Sequence, residues 1–142
     1  METQEIHRGR LLDHLHLVVR DLERSKRFYA AVLAELGVPL GGEGPGFFWF
    51  DELFVSDAAS PAAAGELTGR VHVAFQARDT DAVERFYRAG LAAGGTDNGA
   101  PGKRAYHPGY HAGFLLDPDG NNVEAVYHGP AQRSAESIKV TF

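Results

Sequence analysis

Between residues 11 and 20 the aliphatic side chains of Leu15, Leu17 and Val19 alternate with His14, His16 and Val18. A period of two predicts a strand with the aliphatics on one face and the histidines on the other. Asp21 follows where a helix N-cap belongs. Leu22, Phe28, Val32, Leu33 and Leu36 then recur at helical spacing, and Gly37 suits a left-handed C-terminal cap. Three short apolar pieces come next, at 38–40, Phe47–Phe50 and 53–55, each predicted as a strand. The Ala-, Ser-, Gly- and Pro-rich stretch 56–69 reads as a connector.

A second run of the same kind begins at residue 70. Val71, Val73 and Phe75 alternate with His72, Ala74 and Gln76. Asp79 or Asp81 caps the next predicted helix, with Glu84 at capping-box distance from Asp81, and Gly94-Gly95 ends it. Residues 96–103 read as a turn-dense loop. Residues 110–116 are a predicted strand, Asp117-Pro118-Asp119-Gly120 a turn, and Asn122–Tyr127 the last strand. Beyond it Ile138, Val140 and Phe142 alternate and suit an edge strand.

The two runs repeat each other at a constant offset of 58 residues: His14 matches His72, Arg20-Asp21 matches Arg78-Asp79, and Arg27-Phe28-Tyr29 matches Arg85-Phe86-Tyr87. Each unit reads βαβββ. The expected fold class is α+β, with two βαβββ modules forming a curved mixed sheet (a half-barrel), helices outside and a cleft inside. The expected boundaries are an N-terminal arm at 1–10, one domain at 11–128 built of modules 11–57 and 70–128 with linker 58–69, and a C-terminal tail at 129–142. About 50 residues would be marginal alone, so the units are expected to share a core.

Composition narrows the chemistry. Of the 142 residues, 44% are hydrophobic and none is cysteine, which excludes disulfides and thiolate chemistry. The net charge is -5, without the clustered basic face that nucleic acid requires. No run approaches the roughly 18 apolar residues of a membrane span, and 1–10 lacks a secretory core, so the expectation is a cytoplasmic protein without membrane or nucleic-acid partners.

His14 and His72 stand at equivalent repeat positions on the strand face away from the aliphatics. Glu124 lies in an apolar strand, where a carboxylate needs a partner or a cation. Two imidazoles and one carboxylate make a facial set with open positions for water or substrate. The first-unit counterpart of Glu124 falls near Phe54, which cannot ligate; Glu52 and Glu66 lie nearby. His16 shares the face of His14 and is read, with Gln76, as cleft lining. Arg104, Tyr106, His107, Tyr110 and His111 crowd a turn broken by Pro108-Gly109, which forbids a helical metal motif. An arginine among phenols suits a carboxylate or enolate-like substrate, although a solvated polar turn explains the same residues. The glycines at 94, 95, 99 and 102 fit no phosphate loop. Phe47, Phe48 and Trp49 lack interleaved basic residues and read as core and cleft wall.

Asp13-His14, Arg20-Asp21-Leu22, Phe28-Tyr29, His72, Asp79, Phe86-Tyr87, Asp117-Pro118-Asp119-Gly120-Asn121 and Glu124 together resemble the vicinal oxygen chelate superfamily, the glyoxalase/bleomycin-resistance/dioxygenase family, across residues 11–128. The stretch 98–110 is similar to a bacterial glyoxalase-like subgroup of largely unassigned substrate. The resemblance implies metal ligands at His14, His72 and Glu124. It also implies one divalent ion (iron, manganese, zinc, nickel or magnesium) and bidentate chelation of substrate oxygens. Two departures matter. Glyoxalase I-like members carry a first-unit carboxylate where this chain is apolar. Extradiol dioxygenases carry a histidine late in the first unit, and none stands between Phe28 and Arg70; Phe114 occupies about the place of their tyrosine.

The expected function is therefore a metal-dependent glyoxalase-like enzyme of lyase or isomerase type, acting on a small oxygenated substrate. Tyr106, His107 and Tyr110 are the candidate acid-base or orienting groups. Arg104, His16, Trp49, Gln76 and His111 are the candidate substrate contacts. The alternative is a metal-free bleomycin-resistance-like binding protein in which the aromatics stack on ligand; an extradiol-type dioxygenase is third. The partners expected are a small-molecule substrate and a second copy of the chain, with the modules pairing within one chain or across a homodimer.

Overall fold

Asp21 accepts a hydrogen bond from the amide of Arg24, and Asp79 one from the amide of Ala82, so the two helices start at equivalent aspartates of the repeat. This is the side-chain satisfaction that a helix N-terminus needs. The computed structural model describes residues 5–9, 12–61, 63, 67–69 and 71–142. In chain order its elements are β1 (Glu5–Arg8), β2 (Leu15–Val18), α1 (Leu22–Ala34), β3 (Gly42–Gly44), β4 (Phe47–Phe50), β5 (Leu53–Ser56), β6 (His72–Gln76), α2 (Thr80–Ala92), β7 (Thr96–Lys103), β8 (His111–Leu116), β9 (Asn122–Tyr127) and β10 (Ile138–Thr141).

The α+β class and the duplicated βαβββ module stand as expected. Each module builds a mixed four-stranded sheet, in the orders β2-β5-β4-β3 and β6-β9-β8-β7, with one parallel pair and two antiparallel pairs. Among the described residues no strand of one sheet pairs with a strand of the other. The shared core lies between the modules: Phe28 and Val32 of α1 meet Gly90 of α2, where an added Cβ would stand 3.3 Å and 3.0 Å from them and 2.2 Å from Leu115 of β8. The hairpin turn of the second module is also tied to α1. Tyr29 is buried and donates to Asp117 at 2.6 Å, and Asp117 further accepts from the amides of Asp119 and Asn121. Burial, then the negative charge of Asp117, push the Tyr29 hydroxyl well above its ordinary range.

Several expectations are corrected. The first strand shortens to Leu15–Val18, so His14 immediately precedes it. Residues 38–40 form no strand; the pairing segment is Gly42–Gly44, because β4 brings large rings against it. A Cβ at Gly42 would lie 2.2 Å from the Trp49 ring and one at Gly44 2.6 Å from Phe47, so glycine admits the pairing. Residues 96–103 are not a loop but the edge strand β7, whose register against β8 slips between Asp97 and Gly99 and again between Gly99 and Gly102. Such irregularities let an edge strand carry Gly and Pro. Asp79 rather than Asp81 caps α2. The two arms are joined: β1 pairs antiparallel with β10, so Ile138 and Val140 do lie in an edge strand. Residues 62 and 64–66 of the linker, Glu66 among them, and residues 1–4, 10, 11 and 70 lie outside the described residues. No helix among the described residues is long and apolar enough to cross a membrane.

Candidate active site

Register decides which side chains meet. In the second sheet Ala74, Glu124 and Phe114 lie abreast, flanked by the row His72, Asn122, Leu116 and the row Gln76, Val126, Ala112. Side chains two apart along a strand share a face. His72, Ala74 and Gln76 therefore stand with Glu124, while Val73, Phe75, Val123 and Leu115 face the helices. The β6 members of the first set are exposed, and Glu124 is buried.

Glu124 is the centre of this face. Its Oε1 accepts from His72 Nε2 at 2.8 Å, and its Oε2 accepts from the Tyr110 hydroxyl. Because a carboxylate only accepts, the proton between His72 and Glu124 sits on Nε2. Both oxygens of this buried group are thus engaged, which meets the requirement on a charge removed from water. Burial, then the hydrogen bond to Glu124 and its charge, push Tyr110 up to about 12. Tyr110 is therefore a neutral proton donor at physiological pH and not a phenolate base.

Tyr110 also closes the polar turn. Its amide donates to the His107 carbonyl at 3.2 Å and its carbonyl accepts from the Arg104 amide at 3.0 Å. Its ring meets those of Tyr106, His107 and His128 edge-on, at centroid distances of 4.9, 5.3 and 5.2 Å. His107 Nδ1 faces the Pro108 carbonyl at 2.9 Å and must donate there, so in the neutral ring His107 Nε2 accepts from His128 Nδ1 across 2.9 Å. Gly109 and Gly129 hold the two histidines together. Each has φ near +90°, and a Cβ on Gly109 would lie 3.3 Å from the Gly129 Cα. His128 was missed in the sequence, although it follows Glu124 by four residues and so continues the same strand face. His111, expected to contact substrate, starts β8; its Nε2 is buried without a hydrogen-bond partner among the described residues.

The remaining candidates lie on the first sheet. His14 is 61% exposed at its side chain and bonds Asp13 at 2.6 Å, an interaction that holds the Asp13 carboxyl below its usual range. His16 bonds Ser56 at 2.7 Å and meets Phe54 edge-on, and burial followed by the charge of His14 pushes its pKa down. Phe54 lies opposite His16, as Glu124 lies opposite Ala74, so the apolar counterpart of Glu124 is Phe54 as expected. Trp49 stacks on Phe47, and Phe47 on Phe54. The equivalent faces of the two modules have thus diverged into an aromatic wall and a polar, acidic one. No hydrogen bond or ring contact joins the two walls among the described residues.

The divalent ion implied by the resemblance can be tested against these donors. His72 Nε2 and Glu124 Oε1 converge on the point where they now share a proton, and an imidazole beside a carboxylate suits a borderline or hard divalent ion. His14 is not gathered with them. Among the described residues no three His, Cys, Asp or Glu side chains come together in one chain as a metal-holding group. One chain therefore supplies a half-site that fits the ion and a third donor placed apart from it.

Comparison with known proteins gives the same frame. A glyoxalase/bleomycin resistance protein from Albidiferax ferrireducens T118 superposes with a TM-score of 0.68 at 28% identity, over 82% of this chain and 98% of that one. A glyoxalase/bleomycin resistance protein/dioxygenase from Nocardioides gives 0.57 at 26% identity, over 91% and 89%. A lactoylglutathione lyase from Agrobacterium tumefaciens shares the fold, with a TM-score of 0.56 at 21% identity over 84% and 93%. No curated protein matches significantly. The family model of the Glyoxalase/Bleomycin resistance protein/Dioxygenase superfamily matches residues 11–125, which reach into both modules and include His14, His72, Tyr110 and Glu124. With its duplicated βαβββ architecture, this chain belongs to that superfamily.

Proposed function

We propose that the protein is a metal-dependent enzyme of lyase or isomerase type, acting on a small oxygenated substrate that chelates a divalent ion held by His72, Glu124 and His14. The observation that carries this reading is the Glu124 constellation: a buried carboxylate shared between an imidazole and a phenol, beside the exposed face of β6. The ion would act as a Lewis acid for a developing oxyanion. The chain's own groups do the rest. Tyr110 keeps Glu124 oriented and, as a neutral hydroxyl, offers a proton beside the reacting oxygens. His107 and His128 share one proton at the edge of the Tyr110 ring, and the pair serves there as an acid-base and orienting group. Tyr106 flanks Tyr110 and orients what enters.

Because one chain does not gather His14 with His72 and Glu124, we propose further that the working unit is a homodimer. His14 of one copy would meet His72 and Glu124 of the other, setting the aromatic wall of one chain against the acidic wall of its partner. The absence of cysteine accords with the cytoplasm, where we place this activity.

Elemental mass spectrometry of tag-free protein, beside the His72→Ala variant, tests the reading. Near-stoichiometric divalent metal that is lost in the variant supports it, and the identity of the ion narrows the reaction. Failure to bind any divalent ion overturns it. One observation favours a second reading, a metal-free binding protein: the stacked rings of Trp49, Phe47 and Phe54 suit a flat ligand. Ligand quenching of Trp49 fluorescence in the presence of a chelator would support that alternative. Oxygen uptake with catechols would revive the dioxygenase.

A further inference from the structure

Arg104 is ordered without a carboxylate. Its guanidinium donates to the carbonyls of Ala100 at 2.6 Å and Lys103 at 3.2 Å, and lies over the Phe114 ring, 5.4 Å from the centroid. Two glycines clear its place. A Cβ at Gly102 would stand 3.2 Å from one terminal nitrogen and a Cβ at Gly99 3.5 Å from the other. The glycines of β7, which fit no phosphate loop, thus have a structural use as a cradle for this side chain. A guanidinium has five N–H donors, and the two carbonyls take two of them. Among the described residues neither Arg104 nor its neighbour Lys103 is ion-paired with a carboxylate.

The location gives this cation a purpose. Phe114, beneath the guanidinium, lies opposite Glu124 in register, and its ring centroid is 6.1 Å from that of His72. Lys103, Arg104, His107 and Tyr110 line one pocket of about 490 Å³. A flat cation, fixed at its base by backbone oxygens and backed by an aromatic face, presents its open edge to a planar two-oxygen anion.

We infer that the pocket at Arg104 is an anion subsite, and that the substrate carries a carboxylate beyond its metal-chelating oxygens. The chelating half of this inference rests on the proposed function; the anion half stands on the surroundings of Arg104 alone.

Two titrations separate the halves. In the first, isotope-labelled full-length protein without metal is titrated with malonate and, in parallel, with inorganic phosphate. Malonate is expected to give saturable amide shifts confined to residues 99–110, about tenfold weaker in Arg104→Gln and intermediate in Arg104→Lys. Shifts that persist in Arg104→Gln, or scatter over the surface, overturn the subsite. Phosphate binding as well as malonate overturns the carboxylate assignment. In the second, metal-loaded protein is titrated with acetohydroxamate and with the monohydroxamate of malonate, which adds one carboxylate to the same chelating group. The wild type should prefer the carboxylate-bearing probe by about tenfold, and Arg104→Gln should not. Equal affinity of the wild type for both probes overturns the inference. If neither hydroxamate binds, the metal reading fails, and the malonate titration still decides the anion subsite.

Discussion

Tyr110 contributes one proton to a carboxylate that has little access to water. Its Phe variant removes that donor and leaves Glu124 Oε2 buried without a partner, a loss of about 1–3 kcal/mol in unfolding free energy for a group of this kind. Denaturant unfolding at neutral pH measures it. Burial of that hydroxyl, together with the bond and the charge of Glu124, gives a pH signature. Tyr110 titrates near 10 in an unfolded chain and at about 12 in the folded one, so the fold holds a proton that the unfolded chain has released. Its contribution is fully present below about pH 10 and is lost as pH rises toward 12. The stability difference between wild type and Tyr110→Phe should therefore shrink across that window and stay level from pH 7 to 9. A difference that is flat up to pH 12 would mean that the hydroxyl is neither buried nor held by Glu124 as described. At this scale Glu124 was legible because a carboxylate in an apolar strand needs an explanation. His72 is grouped with it through the repeat, and Tyr110 is singled out in the polar turn. The bond from the Tyr110 hydroxyl to Glu124 was not legible, since it joins a turn to a strand that sequence spacing does not align.

Elements were legible where side chains alternate or recur cleanly, and obscure where glycine replaces them. The helices, β4 and β9 follow directly from the apolar period and the aspartate caps. β3 and β7 carry no such period. β3 exists as a bare backbone against which Phe47 and Trp49 lay their rings, and β7 as an irregular edge that cradles Arg104. The absence of a side chain is therefore what these positions supply. Gly90 makes the point energetically. Alanine there gains about 1 kcal/mol of helix propensity but places its methyl 2.2 Å from Leu115 and 3.0 Å from Val32. Overpacking of a tight core typically costs about 1–3 kcal/mol, so Gly90→Ala should lower the unfolding free energy on balance. Gly69, with open space around the added methyl and no positive φ, serves as the control and should change little. Thermal unfolding of the two variants side by side decides it; equal melting temperatures would mean that α1 and α2 do not pack through Gly90.

For the whole molecule, the repeat of 58 residues foretold the two modules but not how they face one another. A duplicated sequence is equally consistent with modules that share a cleft within one chain and with modules that exchange partners between two. The fold places the contact between modules at Phe28, Val32, Gly90 and Leu115 and leaves the polar strand face of β6 uncovered. If two copies complete each other, the donors of one site come from different chains, and defects in different donors become complementary. Neither His14→Ala nor Glu124→Ala alone should retain metal beyond a small fraction of sites. Mixed, unfolded together and refolded as an equimolar pair, half of the dimers are heterodimers, and each rebuilds one intact site from its unaltered His14 and its partner's unaltered His72 and Glu124. About a quarter of all sites should therefore regain metal. Sites confined to one chain regain none at any mixing ratio. Metal content after refolding, read against the fraction of heterodimer by native mass spectrometry, separates the two arrangements. Recovery without heterodimer, or heterodimer without recovery, would exclude the shared site.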